Sequence, residues 1–367
     1  MQSRGLTPRD RWAIDTMQRQ ITVLEAREAE IRASPDSETE CAGWLALARQ
    51  APSYERYLRP WIPGVGFDGA VPAIAKHRTD LADHVVLADT ELARFDPAIR
   101  QRAQRRLGLR LAVIGKGGAG KTVLSSTLAR LLARRGRKVL AADLDTNPGM
   151  AMSLGMAPTE AGLPAEAVEE HEGANYGWQL AAGVTPAEAV ERFSAPGPDG
   201  IHFLGVGKIN SPFKLAAKQS VPAIVQILLG VGSPEWDIVA DLEAGPTTPF
   251  ERYHAFAADV MVVVGPAWRS AMTARRLLPM VGDVNSLVVA SQYRHEPDHP
   301  GLVPWGRIPF DPEVREAERR GLAPLDACSD APAMLAIGRL VDRLVDPEST
   351  ESLEVGGNEH RGAHGKG

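Results

Sequence analysis

At 367 residues the chain has room for about two domains of roughly 150 residues, and 44% hydrophobic with 24% charged residues describes a globular protein rather than a disordered or fibrous one. A net charge of −5 gives no broad attraction to nucleic acid or anionic membrane. Two cysteines, Cys41 and Cys328, exclude a disulfide scaffold and point to a reducing, cytoplasmic setting. The first residues lack the apolar core of a signal peptide, and the longest apolar runs, such as 260–266, fall well short of the ~20 residues of a membrane-spanning helix.

Taken in chain order, residues 8–34 carry apolar side chains at Ile14, Met17, Ile21, Leu24 and Ile31, the spacing of one amphipathic helix. A polar linker is expected at 35–40. Residues 41–106 then read as short helices broken at Pro52, Pro60, Pro63 and Pro72. Trp12, Trp44 and Trp61 are expected to anchor a core or interface in this helical part. Arg100, Arg102, Arg105, Arg106 and Arg110 have helix spacing and read as a solvated surface, not as a DNA-binding face.

From Leu109 the texture changes. Apolar runs at 111–114, 139–142, 201–206, 238–240, 260–264 and 287–290 alternate with helix-period segments. That pattern predicts an α/β fold, a mostly parallel sheet with helices on both faces. Residues 347–367 are polar and glycine-rich, which predicts a tail without fixed structure. The expected division is a helical N-terminal domain over 1–108, of unknown role, an α/β domain over 109–346 and the tail.

The strongest motif is the run Gly115, Lys116, Gly117, Gly118, Ala119, Gly120, Lys121, Thr122, directly after the strand 111–114. It fits the G-x-x-x-x-G-K-[ST] phosphate loop, in which successive backbone N–H groups turn inward toward phosphate oxygens. Lys121 is expected to neutralise the β- and γ-phosphates, and the Thr122 hydroxyl to ligate Mg²⁺. A helix follows with Leu124, Leu128, Leu131 and Leu132 on one face and Gly136 closing it, so Val123 and its neighbours offer helix N-terminal amides to the same anion. Gly115, Gly117 and Gly120 also satisfy G-x-G-x-x-G, with Asp143 and Asp145 near the place of a ribose-binding acid. The Lys121–Thr122 pair decides for the phosphate loop, since a pyrophosphate turn has no use for that cation and hydroxyl.

With Lys116 inside it, the loop resembles the deviant Walker A signature of MinD/ParA-type P-loop ATPases. That resemblance implies slow, partner-stimulated ATP hydrolysis with Mg²⁺ and a homodimer formed on ATP, Lys116 reaching across to the partner's nucleotide. It implies that Asp145, in 143–148 (DLDTNP), positions the attacking water. Asp241, in 237–245 (DIVADLEAG), would hold Mg²⁺, and the Gly245 amide would sense the γ-phosphate. Pro309, Phe310 and Asp311 would flank the adenine. Taken alone, 143–148 is also good turn chemistry after a strand.

Within that family the wording is closest to the accessory ATPases that insert nickel into carbon monoxide dehydrogenase, through 241–245 (DLEAG), 264–270 (VGPAWRS) and 308–317 (IPFDPEVREA). The likeness covers roughly 110–345. Their Cys-x-Cys pair is absent, since residues 205–214 read GVGKINSPFK, and soft divalent metals want thiolate or imidazole there. Nickel handling is therefore not expected by that route; His77/His84 and His360/His364 could each touch metal, but short histidine pairs in helical or flexible segments are usually incidental. Cluster cysteines of nitrogenase-type iron proteins are missing too. Residues 334–345 are amphipathic but lead into a polar tail, which disfavours a membrane anchor. The expected function is an accessory or maturation ATPase acting on a partner protein through an ATP-gated homodimer; the rival is a positioning, partition or regulatory ATPase with no metal-handling role.

Overall fold

The computed structural model describes residues 6–58, 71–158, 162–207, 214–232, 236–245, 251–295, 299 and 301–346. Helix α1 (Pro8–Arg32) starts at a capping box, in which the Asp10 amide donates to the Thr7 hydroxyl (3.1 Å) and the Thr7 amide to the Asp10 carboxylate (2.8 Å). It buries Trp12, Met17, Ile21, Leu24 and Ile31.

Helix α2 (Ser37–Leu58) begins inside the expected linker, because the Asp36 carboxylate accepts the Glu38 and Thr39 amides. It also runs through Pro52, which was expected to break it. Proline inside a helix costs ~3 kcal/mol or more. Burial of Trp44, Leu47, Tyr54, Tyr57 and Leu58, at about 1.5–3 kcal/mol per large apolar side chain, outweighs that penalty. Trp61, Pro60 and Pro63 lie outside the described residues. Helices α3 (Pro72–Leu92) and α4 (Pro97–Arg106) complete the N-terminal part.

On α4, Arg100, Arg102, Arg105 and Arg106 are exposed as expected, with Arg102 and Arg106 paired to Glu38 at 2.9 and 3.4 Å. Arg110 departs from that reading. It is 2% exposed and donates to the carbonyls of Phe256 (2.8 Å), Val231 (3.1 Å) and Leu228. The last two carbonyls close the C-terminal end of a helix, where unpaired oxygens and the negative end of the dipole favour a cation.

The described strands are β1 (Arg110–Gly115), β2 (Val139–Leu144), β3 (Val168–Glu170), β4 (Trp178–Leu180), β5 (Ala195–Pro196), β6 (His202–Gly205), β7 (Asp237–Leu242), β8 (Asp259–Val264), β9 (Asn285–Tyr293) and β10 (Gly306–Pro309). Eight of them form one sheet in the order β10-β9-β8-β1-β7-β2-β6-β5, parallel except for the edge strand β5. β3 and β4 form a separate antiparallel pair. Helices α5 (Lys121–Arg134), α6 (Met150–Leu154), α7 (Pro186–Phe193) and α8 (Lys214–Gly230) follow β1, β2, β4 and β6 in the chain.

Side chains alternate across the sheet. Leu111, Val113, Val139, Ala141, Val239 and Val263 share a core with α5 and with the helix Pro332–Val345. Ala112, Ile114, Leu140, Ile238, Ala240 and Val262 face the other way. They belong to the same apolar core as Ile224 and Leu228 of α8 and as Trp12, Trp44, Tyr54 and Tyr57 of α1 and α2. The N-terminal helices are thus an outer layer of that face. Trp12 donates to Gln179 (3.2 Å), and Gln50 to the Leu229 carbonyl (3.0 Å), across the seam. Among the described residues no helix is long and apolar enough to cross a membrane.

Candidate functional site

In a parallel α/β sheet, ligands sit outside the carboxyl ends of the strands. Here β1 lies between β8 and β7, with β2 next to β7, so the ends of four strands meet under one loop. That loop is 115–122. Gly115 has φ +153° and lies so close to β8 that a Cβ would come 2.5 Å from the Val263 carbonyl oxygen. Gly120 caps α5 with φ +91°, a left-handed conformation that glycine adopts without strain. The amides of Lys121, Thr122 and Val123, in the first turn of α5, have no partner within the helix and face the loop.

Lys121 is buried and makes no ion pair with any described residue. The Thr122 hydroxyl donates to Asp241 Oδ2 at 2.5 Å. Asp241 is fully buried, and its Oδ1 has no hydrogen-bond partner. Asp143 lies beside it, since the two are register partners on β2 and β7. Asp143 accepts amides from Asp145 (3.0 Å), Gly149 (3.1 Å) and Met150 (2.9 Å), so it ties down the turn that carries Asp145. Two buried carboxylates in neighbouring positions repel. Burial, then the Asp143 charge, push the Asp241 carboxyl up to about 8, against the pull of Lys121 and the Thr122 hydroxyl. Burial pushes Asp143 up to about 6, with its amide donors opposing.

The Asp145 carboxylate accepts the Asn147 amide (2.8 Å), and the Thr146 hydroxyl donates to Glu243 (3.1 Å), joining the turn after β2 to the end of β7. Gly245 has φ +104°, and its amide approaches the Gly115 carbonyl at 3.4 Å. Gly117, Gly118, Lys121, Thr122, Asp145 and Glu243 wall a cavity of about 540 Å³.

A second cavity, of about 380 Å³, opens on the other side of the loop and shares Gly118, Lys121 and Thr122 with the first. Pro309, Phe310 and Asp311 line it together with the apolar Val123, Val314, Met334 and Ile337. The Arg294 guanidinium stacks 3.8 Å from the Phe310 ring centroid. Asp311 reaches this wall with its carboxylate already engaged: it caps the helix Pro312–Arg319 through the Glu313 amide (3.0 Å) and accepts the Ala333 amide (3.3 Å).

Of the expected site residues, Gly115, Lys116, Ala119, Asp241 and Gly245 line neither cavity. Ala119 is buried, while Lys116 is half-buried and pairs with no described acid. Sequence reasoning missed Ser291 and Gln292 at the end of β9. The Gln292 amide group donates to the Gly118 carbonyl (3.0 Å), and both side chains lie where a Cβ on residue 120 would point. Their signal was position, at the carboxyl end of a strand already expected at 287–290.

Among the described residues no group of three or more His, Cys, Asp or Glu side chains is placed to hold a metal ion. His77 instead meets Asp80 at 3.2 Å, and His84 meets Glu28. His360, His364 and most of 205–214 lie outside the described residues.

The model of the CobQ/CobB/MinD/ParA nucleotide binding domain matches residues 111–325. An ATP-binding protein of Methanocaldococcus jannaschii is 27% identical over 232 residues, 58% of this chain and 90% of that protein. The carbon monoxide dehydrogenase accessory protein CooC of Rhodospirillum rubrum is 27% identical over 253 residues, 62% of this chain and 95% of that protein. Among solved structures, the septum site-determining protein MinD of Pyrococcus horikoshii, complexed with Mg-ADP, is 18% identical with a TM-score of 0.48, covering 65% of this chain and 96% of that one.

Proposed function

This chain belongs to the CobQ/CobB/MinD/ParA nucleotide-binding domain family, and we propose that it is an ATP-hydrolysing switch that acts on a partner protein as an ATP-gated homodimer. The observation that carries the reading is Lys121 and the Thr122–Asp241 hydrogen bond set directly beneath a glycine loop at the carboxyl end of β1. In this reading the loop amides and Lys121 hold the β- and γ-phosphates. Asp145, fixed by the hydrogen bonds around Asp143, orients the attacking water. The 380 Å³ cavity takes the base against Phe310, Met334 and Ile337. Lys116, which pairs with no acid among the described residues, reaches the nucleotide of the second subunit.

Mg²⁺ fits these residues. Thr122 and Asp241 offer the hard oxygens it prefers, and the unpartnered buried Oδ1 of Asp241 is relieved by a nearby cation or its water. The ion would supply neutralisation of phosphate charge.

The likeness to an accessory protein of carbon monoxide dehydrogenase supports a maturation role. One observation favours the rival, a positioning or regulatory switch with no metal cargo: the two cysteines are far apart in sequence, with Cys41 buried among the N-terminal helices and Cys328 half-buried. With the chain divided as 1–108, 109–346 and a tail over 347–367, the described helices of 1–108, which pack on the sheet as an outer layer, would present their outer surface to the partner.

Calorimetry and turnover assays on two variants test the core of the reading. Lys121→Ala is expected to abolish ATP binding, and Asp145→Ala to keep binding while removing hydrolysis. Undiminished ATP affinity in the first, or undiminished turnover in the second, would reject the roles assigned to those residues.

A further inference from the structure

The end of the sheet remote from the glycine loop holds a separate cavity of about 330 Å³, at the N-terminal ends of β1, β8 and β9. It lies where α2 and the segment after α4 meet the sheet and the end of the helix Pro332–Val345. Five arginines line it, Arg49, Arg105, Arg110, Arg137 and Arg343, against a single acid, Asp259.

Among the described residues, three of these arginines, Arg49, Arg110 and Arg343, have no carboxylate hydrogen-bonded to them. Arg110 and Arg343 donate to neutral carbonyls, the latter to Trp305 with its guanidinium 4.6 Å over the Trp305 ring. Arg137 is neutralised by Asp237, and Arg105 stands 3.9 Å from Asp346. Arg49 makes no hydrogen bond with a described residue through its guanidinium. Its carboxylate neighbour, Asp259, is already bonded by the Asn285 amide group at 2.6 Å. Burial lowers the Arg49 pKa, with Asp259 opposing, and Arg27, Arg49 and Arg56 together press on buried Arg110. In a chain with a net charge of −5, this is a local concentration of the opposite sign. Leu107, Leu287, Leu344 and Trp305 supply apolar wall between the charges.

We propose that this cavity binds a small phosphate-bearing organic anion, with Arg49 the principal oxygen donor and Arg105 the second. An arginine fork presents parallel N–H donors matched to two oxygens of one phosphate. The volume is at the lower end of the ~300–1,000 Å³ typical of small-molecule sites. The anion would bridge the N-terminal helices and the sheet, at the far end of the strands from the ATP site.

The test is calorimetric titration of inorganic pyrophosphate, at constant ionic strength, into the full chain carrying Lys121→Ala, so that the glycine loop does not dominate the signal. One saturable site is expected. Adding Arg49→Gln should weaken it by about tenfold or more, the loss of a charge-assisted hydrogen bond, and Arg49→Lys by less. Asp259→Asn should tighten it several-fold, a change of sign that lost folding would not produce. If Arg49→Gln fails to fold by circular dichroism, Arg105→Gln at its exposed position replaces it, with a severalfold loss expected. Absence of a saturable site, or an affinity indifferent to both arginine variants, overturns the proposal. Because the readout is pyrophosphate rather than ATP turnover, it fails or succeeds independently of the ATPase reading.

Discussion

Replacing Asp241 by Asn should stabilise the nucleotide-free protein, in spite of the residue's place in the site. The carboxyl titrates near 3.8 in an unfolded chain and is pushed up to about 8 in the folded one, first by burial and then by Asp143. Each tenfold change in proton affinity is about 1.4 kcal/mol, so holding the charged form in place costs on the order of 5 kcal/mol. Between pH 4 and 8 the folded chain retains a proton that the unfolded chain releases, so this residue's contribution to stability falls as pH rises through that window. Asparagine keeps an oxygen for the Thr122 hydroxyl and has no such proton. Urea unfolding followed by circular dichroism, without Mg²⁺ or nucleotide, should therefore show a gain of several kcal/mol for Asp241→Asn at pH 9. The gain should shrink to on the order of 1–2 kcal/mol at pH 5. Adding Mg-ATP should raise the stability of the parent protein far more than that of the variant. A variant less stable than the parent at pH 9, or a gain equal at the two pH values, would refute the account of Asp241 as an undercompensated buried charge.

His254 is 1% exposed, and burial pushes its pKa down to about 4, against a hydrogen bond to the Val281 carbonyl. Below pH 6.5 the unfolded chain takes up a proton that the folded chain refuses, so stability present above 6.5 is lost as pH falls toward 4, on the order of 3 kcal/mol in all. His254→Gln should flatten that acid limb in a pH series of melting curves. Arg130 is 3% exposed and joins Asp199 (2.7 Å) and Asp326, bracing α5 against the segments before β6 and after the helix Pro312–Arg319. Arg130→Met should lower stability by about 2–4 kcal/mol, read as a shifted urea midpoint with unchanged slope, because it strands acids that fold around a buried cation.

What could be read from the sequence was what is local. The loop 115–122, its strand and its helix are contiguous, so residue type and spacing carry the geometry by themselves. The pairing of Asp143 with Asp241 followed only in part: both end apolar runs, but that they are lateral neighbours on parallel strands is a matter of strand order, invisible to periodicity. Ser291 and Gln292 were missed for the same reason, since β9 stands two places from β1 in the sheet and only the strand order brings its end to the loop. Pro52 misled because propensity is a local term and the aromatic face of α2 is settled by tertiary burial. Arg110 misled in the opposite direction: its spacing matched the exposed arginines of α4, while its surroundings are the end of a helix more than a hundred residues away in sequence.

The seam between the N-terminal helices and the sheet has a consequence for biosynthesis. Trp12 closes on Gln179, Gln50 on Leu229 and Arg56 on Ala255, so α1 and α2 must wait for chain made much later. At roughly 5–20 residues per second that interval is on the order of 10–40 s. Throughout it, the aromatic face formed by Trp12, Trp44, Tyr54 and Tyr57 is without its native cover. Contacts of such long sequence separation also slow the final closure. Until α8 and the chain through Ala255 have been made, α1 and α2 are expected to need a chaperone's shelter.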